Sequence, residues 1–187
     1  MNTERRQPVS KHLATLAGGC FWCLEPIFSN LIGVLKVTSG YAGGSTENPT
    51  YQEICTGATG HAECIQIEYA AQEIPYDTLL DVFFAYHDPT TLDQQGNDIG
   101  TQYRSAIFAH SDIQFTTAAN TIELLTNNQI FNNPIVTELT ILKKFYKAED
   151  YHQEYFLRNP DNPYCNAMIT PKLHKLRLKH SHLLKST

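Results

Sequence analysis

The sequence has no apolar run approaching the roughly 20 residues that a membrane span requires, and no internal repeat, low-complexity tract or obvious linker. Only 18% of the residues are charged and 42% are hydrophobic, which is typical of a soluble globular chain and excludes a disordered one. With a length of 187 residues and no linker, the chain is expected to form a single catalytic or binding domain over residues 1–187.

Excess positive charge is also missing. The net charge is -5, and residues 171–187 hold five of the 14 lysines and arginines but no acid, so the rest of the chain is still more acidic. The acidic net charge of the rest of the chain excludes a nucleic-acid binder. The basic tail, residues 171–187, is predicted to be a solvated, partly helical terminus. We expect neither nucleic acid nor a membrane as a partner, and we expect a monomer.

The five cysteines are odd in number and are not spaced as a disulfide framework. This favours a reducing compartment, in which a CxxC is catalytic or metal-binding before it is structural. Arg5 and Arg6 precede an apolar stretch that resembles a signal peptide, but Gly18 and Gly19 interrupt it and sequence typical of a folded domain follows directly. We therefore interpret this stretch as a first strand and expect a cytoplasmic protein.

Hydrophobic periodicity predicts a fold of the α+β class. Strands are expected at 12–18, 34–41, 62–69 and 103–109, with an edge strand at 136–142. Helices are expected around 26–31 and at 76–86, 111–129 and 150–157, with Ser111 and Gln114 as a capping box. Long functional loops cover 45–61 and 87–101, and an irregular tail begins at about residue 160. The order of the core elements is that of a ferredoxin-like split βαβ sandwich.

The segment Gly18-Gly19-Cys20-Phe21-Trp22-Cys23-Leu24-Glu25-Pro26 contains the strongest candidate nucleophile. Pro26 is tolerated in the first turn of a helix, so Cys20 is predicted at or just before the helix N-terminus. The helix dipole and free N–H groups there favour the thiolate, and the pKa of Cys20 should be depressed. The alternative is a buried, inert cysteine in a tight turn.

The segment from Gly60 to Tyr69 contains a candidate proton donor. Strand alternation places Glu63 on the same face as Ile65 and Ile67, which should raise the pKa of its carboxyl group and suit it to donate a proton. The alternative is a structural glutamate in a salt bridge. Cys64 points to the opposite face, where polar neighbours are expected, and is predicted to have no catalytic role.

Two loops and the tail add further candidates. Tyr51 lies in Asn48-Pro49-Thr50-Tyr51, and Asp98 and Tyr103 lie in a loop that is dense in glycine and polar residues. A single tyrosine is more often used for packing, but such a loop favours function. Cys165 lies in a tail that is expected to be mobile, from which it could approach another sulfur.

Seven segments, in order, resemble the motifs of peptide methionine sulfoxide reductases of the A class, and the resemblance spans about residues 12–178. The segments are GCFWCLEP (19–26), GYAGG (40–44), NPTY (48–51), GHAE (60–63), QGNDIGTQYRS (95–105), AEDYHQEY (148–155) and NPYC (162–165). The resemblance implies a nucleophile at Cys20, a catalytic acid at Glu63, sulfoxide-binding tyrosines at Tyr51 and Tyr103, a polar substrate contact at Asp98, and a methyl-binding aromatic pair at Phe21 and Trp22.

The resemblance also implies a reaction. Methionine S-sulfoxide, in proteins or free, is reduced while Cys20 becomes a sulfenic acid, and a second thiol then forms a disulfide that thioredoxin reduces. No metal and no cofactor is required. Many family members have glycine where this chain has Cys23, so the sequence leaves open whether Cys23, Cys165 or both resolve the sulfenic acid.

Two other interpretations start from the same cysteines. A dithiol oxidoreductase of thioredoxin type could use the Cys20–Cys23 pair, but it assigns no role to Glu63 or Tyr51. A zinc-binding module could use Cys20, Cys23, His61 and Cys64, but it lacks a second closely spaced pair of ligands.

Overall fold

The computed structural model describes residues 10–186, so Arg5 and Arg6 lie outside the described residues. The strands are β1 (Lys11–Gly18), β2 (Val34–Ala42), β3 (Ala62–Ala70), β4 (Gln94–Gln95), β5 (Asp98–Ile99), β6 (Ser105–Ala109), β7 (Glu138–Ile141) and β8 (Phe145–Lys147). The α-helices are α1 (Phe21–Ser29), α2 (Tyr51–Cys55), α3 (Tyr76–Tyr86), α4 (Asp112–Asn127), α5 (Tyr155–Arg158) and α6 (Thr170–Lys179). Each helix in the described part of the chain is too short or too polar to cross a bilayer.

Six strands form one sheet in the order β7-β6-β1-β3-β2-β8, while β4 and β5 form a separate hairpin. β1 pairs antiparallel with β3 and β6, and β2 pairs antiparallel with β3. Because α1 joins β1 to β2 and α3 lies between β3 and β6, the four central strands form a split βαβ unit. The predicted α+β, ferredoxin-like class is confirmed. β7, the predicted edge strand, runs parallel to β6.

Strand β3 separates two apolar clusters, as its alternation predicts. Ile65 and Ile67 lie in the main core, where Phe28 of α1 and Phe83 of α3 are also fully buried. Cys64 points to the other face and is fully buried too. The expectation of polar neighbours for Cys64 is wrong, because this face is covered by a second cluster made of Ala17, Ala42, Ala62, Ala106 and Phe108.

Helix α1 begins at Phe21, earlier than the helix predicted around 26–31. Pro26 therefore lies in the second turn, where it costs the helix about 3 kcal/mol or more. Leu24, Ile27 and Phe28 are fully buried, and each contributes about 1.5–3 kcal/mol by leaving water. Packing of this face thus offsets the unfavourable proline.

The two loops contain more regular structure than periodicity predicts. The 45–61 loop includes α2, whose N-terminus is closed by a capping box between Thr50 and Glu53. The 87–101 loop contains the β4–β5 hairpin. Ser111 caps α4 as predicted, but Gln114 turns away to bond His110 N and Leu13 O, so the capping box is not formed there.

The prediction of an irregular tail from about residue 160 is wrong, whereas the partly helical terminus predicted for residues 171–187 is confirmed. A π-helical turn at Cys165–Ile169 leads directly into α6, and Cys165, Ile169 and Leu176 are buried. Ile169, Leu173 and Leu176 recur at helical spacing, so they form one apolar stripe that packs onto the core. Lys172 and Lys175, which lie between these residues, obscured this stripe in the sequence.

Candidate active site

Cys20 is the N-cap residue of α1, as predicted. The preceding Gly19 has φ +88°, and a side chain there would meet Gln95 within 2.6 Å, so glycine is required for this close approach. The Cys20 carbonyl accepts a hydrogen bond from Cys23 N at 3.0 Å, which begins the helix. The turn therefore fixes both cysteines of the CxxC at one helix end.

The pKa of Cys20 is shifted in the direction opposite to the prediction. Burial, the hydrogen bond with Cys23 and the nearby Glu63 raise the pKa of Cys20 well above its ordinary value. A helix N-terminus typically contributes about 0.3–1 kcal/mol at an exposed site, which is less than the desolvation cost of a buried thiolate. The hydrogen bond from Cys20 lowers the pKa of Cys23 to about 7, so Cys23 ionises first.

Glu63 lies under this helix end and is almost fully buried. Burial raises the pKa of Glu63 to about 8, although Phe21 N donates a hydrogen bond to it at 3.1 Å. The predicted rise is confirmed, and the carboxyl group is protonated at neutral pH. Glu63 forms no ion pair with any residue of the range 10–186, so the salt-bridge alternative is wrong.

Tyr51 and Tyr103 both lie within range of the charge of Glu63. Burial is the largest cause of the raised pKa of each phenol; the neighbouring Cys55 comes next for Tyr51, and the charge of Glu63 adds to the rise for both. Both hydroxyls therefore remain protonated and can donate hydrogen bonds. Tyr51 is held by Glu149, which accepts the Tyr51 N–H at 2.8 Å and the Tyr41 hydroxyl at 2.8 Å.

Phe21 and Trp22 form part of an aromatic wall beside the thiols. Trp22 stacks on Tyr155 with a centroid separation of 3.7 Å and donates Nε1–H to Nδ1 of His152 at 3.1 Å. The buried His152 ring also lies 4.4 Å from Tyr51 and 5.0 Å from Phe21. These contacts fix the indole, which is only half-buried and can contact an apolar ligand.

Asp98, on β5, reaches the cysteines through Tyr164. The Tyr164 hydroxyl donates to Asp98 Oδ2 at 3.0 Å and lies 3.6 Å from Cys23 Sγ. Cys165 follows directly and is fully buried, and both burial and the neighbouring Cys23 raise its pKa. The structure thus gathers the predicted site residues from the two loops, α1, β3 and the tail.

Three residues of this arrangement had no role in the sequence analysis: Glu149, His152 and Tyr164. All three lie in the segments AEDYHQEY and NPYC, which carry the family resemblance. The motif marks such residues as candidates, but only the fold brings them to Tyr51, Trp22 and Asp98.

The ligands of the zinc alternative do not meet. Cys64 lies on the sheet face opposite Cys20 and Cys23, and His61 bonds the backbone of Gly44 and Thr46. Between residues 10 and 186, no three His, Cys, Asp or Glu side chains are arranged to hold a metal ion.

Comparison with known proteins decides between the remaining interpretations. The family model described as peptide methionine sulfoxide reductase matches residues 12–184. The chain belongs to the peptide methionine sulfoxide reductase family. The peptide methionine sulfoxide reductase MsrA of Trichodesmium erythraeum is 53% identical over 162 residues, covering 87% of this chain and 92% of its own.

Solved structures agree with this family. Mxr1 from Saccharomyces cerevisiae in reduced form superposes with a TM-score of 0.79 at 37% identity, covering 89% of this chain and 95% of its own. Mxr1 in complex with Trx2 gives a TM-score of 0.57 at 30% identity, covering 82% and 90%. The chain is an enzyme that reduces methionine sulfoxide with thiols. The interpretation as a general dithiol oxidoreductase is therefore set aside.

Proposed function

We propose that Cys20 is the nucleophile of this reductase and that Glu63 is its proton donor. One observation supports this assignment above the others: the buried carboxyl group of Glu63, with a pKa of about 8, accepts the Phe21 N–H at 3.1 Å and so lies at the helix N-terminus that Cys20 caps. An acid that is protonated at neutral pH beside a thiol is what sulfoxide reduction needs, because the oxygen leaves sulfur readily only when it is protonated.

The proposed reaction is balanced without a cofactor. Glu63 donates a proton to the sulfoxide oxygen, which also accepts hydrogen bonds from Tyr51 and Tyr103. Cys20 sulfur attacks the substrate sulfur, the oxygen passes to Cys20, and methionine leaves. The methionine sulfur gains two electrons and Cys20 loses two, becoming a sulfenic acid. The proton that Cys20 loses balances the one that Glu63 gives.

We expect this pocket to select the S epimer of the sulfoxide. With the oxygen directed to Glu63 and the tyrosines, and the methyl group against Phe21 and Trp22, only one configuration presents its sulfur to Cys20. Chiral chromatography of a racemic methionine sulfoxide peptide after exhaustive reduction should leave about half of the material, all of it the R epimer. Consumption of both epimers at equal rates would contradict this pocket.

The geometry supports a relay through both remaining thiols of the site. Cys23 lies at the same helix end as Cys20, to whose carbonyl its N–H donates at 3.0 Å, and it has the lower pKa, so it is the better placed to attack the sulfenic acid, releasing water and forming a Cys20–Cys23 disulfide. Cys165, buried beside Cys23, would then attack Cys23 and free Cys20 as a thiol. In this proposal the tail moves only in the second step.

Counting methionine formed without external reductant tests the relay. The unaltered chain should form about two methionines per enzyme, since Cys20 is regenerated once, and Cys165→Ser about one. Disulfide mapping by mass spectrometry should find Cys23–Cys165 in the first protein and Cys20–Cys23 in the second. A direct Cys20–Cys165 disulfide in Cys23→Ser, with undiminished thioredoxin-dependent turnover, would exclude the relay.

We further propose thioredoxin as the reductant of the final disulfide, in the cytoplasm, for a chain that acts as a single-domain monomer. Support for this partner comes from the relative Mxr1, whose solved complex contains Trx2. NADPH-coupled turnover of a methionine sulfoxide peptide with thioredoxin and its reductase tests the function as a whole. Absence of NADPH oxidation when free dithiothreitol still supports turnover would exclude thioredoxin and leave the reductase activity intact.

A further inference from the structure

The Tyr164 hydroxyl lies between two parts of the proposed site that act at different times. It donates to Asp98 Oδ2 at 3.0 Å, on the substrate side. It also lies 3.6 Å from Cys23 Sγ, on the side of the thiols. Its ring meets Trp22 edge-on, with the centroids 6.1 Å apart. The Tyr164 side chain therefore contacts Asp98, the proposed polar contact of the substrate, as well as Trp22 of the aromatic wall and Cys23, a proposed resolving thiol.

This hydroxyl has one proton and two acceptors. Burial and the two nearby cysteines raise the pKa of Tyr164, so the proton stays on the phenol. While the proton points to Asp98, a Cys23 thiolate receives no hydrogen bond from it. Rotation about the C–O bond is enough to exchange one acceptor for the other, because both already lie near the oxygen.

The backbone around Tyr164 is fixed, which limits the exchange to the hydroxyl. Asn162 accepts the Tyr164 N–H at 2.9 Å and donates Nδ2–H to the Tyr155 hydroxyl at 3.1 Å. Tyr155 in turn stacks on Trp22. The phenol is therefore held in place through contacts with the same aromatic wall against which the proposed function places the methyl group of the substrate.

We propose that Tyr164 is a positioning residue that holds Asp98 while the pocket is empty and turns its hydroxyl to Cys23 when a substrate takes the contact at Asp98. The substrate group that competes for Asp98 is a hydrogen-bond donor, such as a peptide N–H. Arrival of the substrate thereby prepares the Cys23 thiolate for the step that follows reduction. This inference rests on the proposed roles of Asp98 and Cys23.

The first test is the KM of a methionine sulfoxide peptide in Tyr164→Phe. This change keeps the ring and removes the hydrogen bond from Tyr164 to Asp98, which a substrate has to displace. KM should therefore fall about threefold to tenfold, which corresponds to the net contribution of one hydrogen bond. A residue with a merely structural role would raise KM or leave it unchanged. Tyr76→Phe, which removes a buried hydroxyl that has no partner among the described residues, is the matched control.

The second test follows Cys23 directly. In a Cys20→Ser/Cys55→Ser chain, which can bind the sulfoxide without reacting, ultraviolet absorbance of the thiolate gives the pKa of Cys23. Methionine sulfoxide peptide should lower this pKa when Tyr164 is present, and it should not do so in the same chain with Tyr164→Phe. An unchanged pKa with Tyr164 present, or an equal shift in the chain that carries Tyr164→Phe, would overturn the proposal.

Failure of this proposal can be separated from failure of the proposed function by Asp98→Asn. If Asp98→Asn raises KM while Tyr164→Phe leaves it unchanged, Asp98 binds substrate and the Tyr164 inference is wrong. If Asp98→Asn leaves KM unchanged, the proposed substrate contact is itself wrong. In Asp98→Asn/Tyr164→Phe, the gain in affinity from Tyr164→Phe should disappear, because the two groups act on the same bond.

Discussion

Replacing Cys20 by serine should abolish the reduction of methionine sulfoxide. A serine oxygen is a far weaker nucleophile than a cysteine sulfur, and no other cysteine of the described residues lies at the N-cap of α1 beside Glu63. Substrate binding should persist, because the aromatic wall and the tyrosines are unchanged. The measurement is methionine formed in a single turnover with excess enzyme.

Cys55→Ser and Cys64→Ala are the matched controls for this result. Cys55 is exposed, and Cys64 is buried in the second apolar cluster, so both chains should keep most of the turnover. Substantial methionine formation by Cys20→Ser, or a loss of activity in Cys64→Ala as large as that in Cys20→Ser, would remove the assignment of the nucleophile.

Replacing Glu63 by glutamine should lower the rate of the reduction step by about two to four orders of magnitude, the usual contribution of a positioned general acid. The amide cannot supply the proton, although its oxygen can still accept the hydrogen bond from Phe21 N. Binding should change much less. The measurement is the single-turnover rate together with the KM.

The raised pKa of Glu63 predicts how the reduction rate depends on pH. Because the pKa of Glu63 is about 8, its proton is present below that pH and is lost as the pH rises through it. The Glu63-dependent part of the reduction rate should therefore fall above a pH of about 8 and be missing in Glu63→Gln. Glu25→Gln is the control, since Glu25 is a buried carboxyl group of α1 whose pKa is also raised by burial. An unaltered chemical step in Glu63→Gln would assign the proton to another donor, such as Tyr51.

Local rules were sufficient where one segment determines the outcome. The position of Pro26 predicted Cys20 at or just before a helix N-terminus, although Pro26 itself lies in the second turn, and strand alternation predicted the desolvation of Glu63. The order of strands and helices predicted the split βαβ sheet, because the connections leave few topologies. The resemblance of the motifs to a known family predicted the reaction, which hydrophobic periodicity cannot predict.

Long-range packing determined what the sequence could not predict. The pKa of Cys20 depends on burial and on Glu63, which comes from a strand far along the chain, so the dipole argument alone gave the wrong sign. The tail was predicted to be mobile because its lysines obscured the apolar stripe of α6. Tyr164 acquires its contacts with Asp98 and Cys23 only when that stripe packs on the core.

The central claim is that the sulfoxide oxygen passes to Cys20. A Cys23→Ser/Cys165→Ser chain, which has no resolving thiol in the site, should be mixed with a methionine sulfoxide peptide whose sulfoxide carries heavy oxygen. Mass spectrometry should find the heavy oxygen on Cys20, as a sulfenic acid, in an amount equal to the methionine formed. Methionine formation with an unmodified Cys20, or with the oxygen on another residue, would contradict the account.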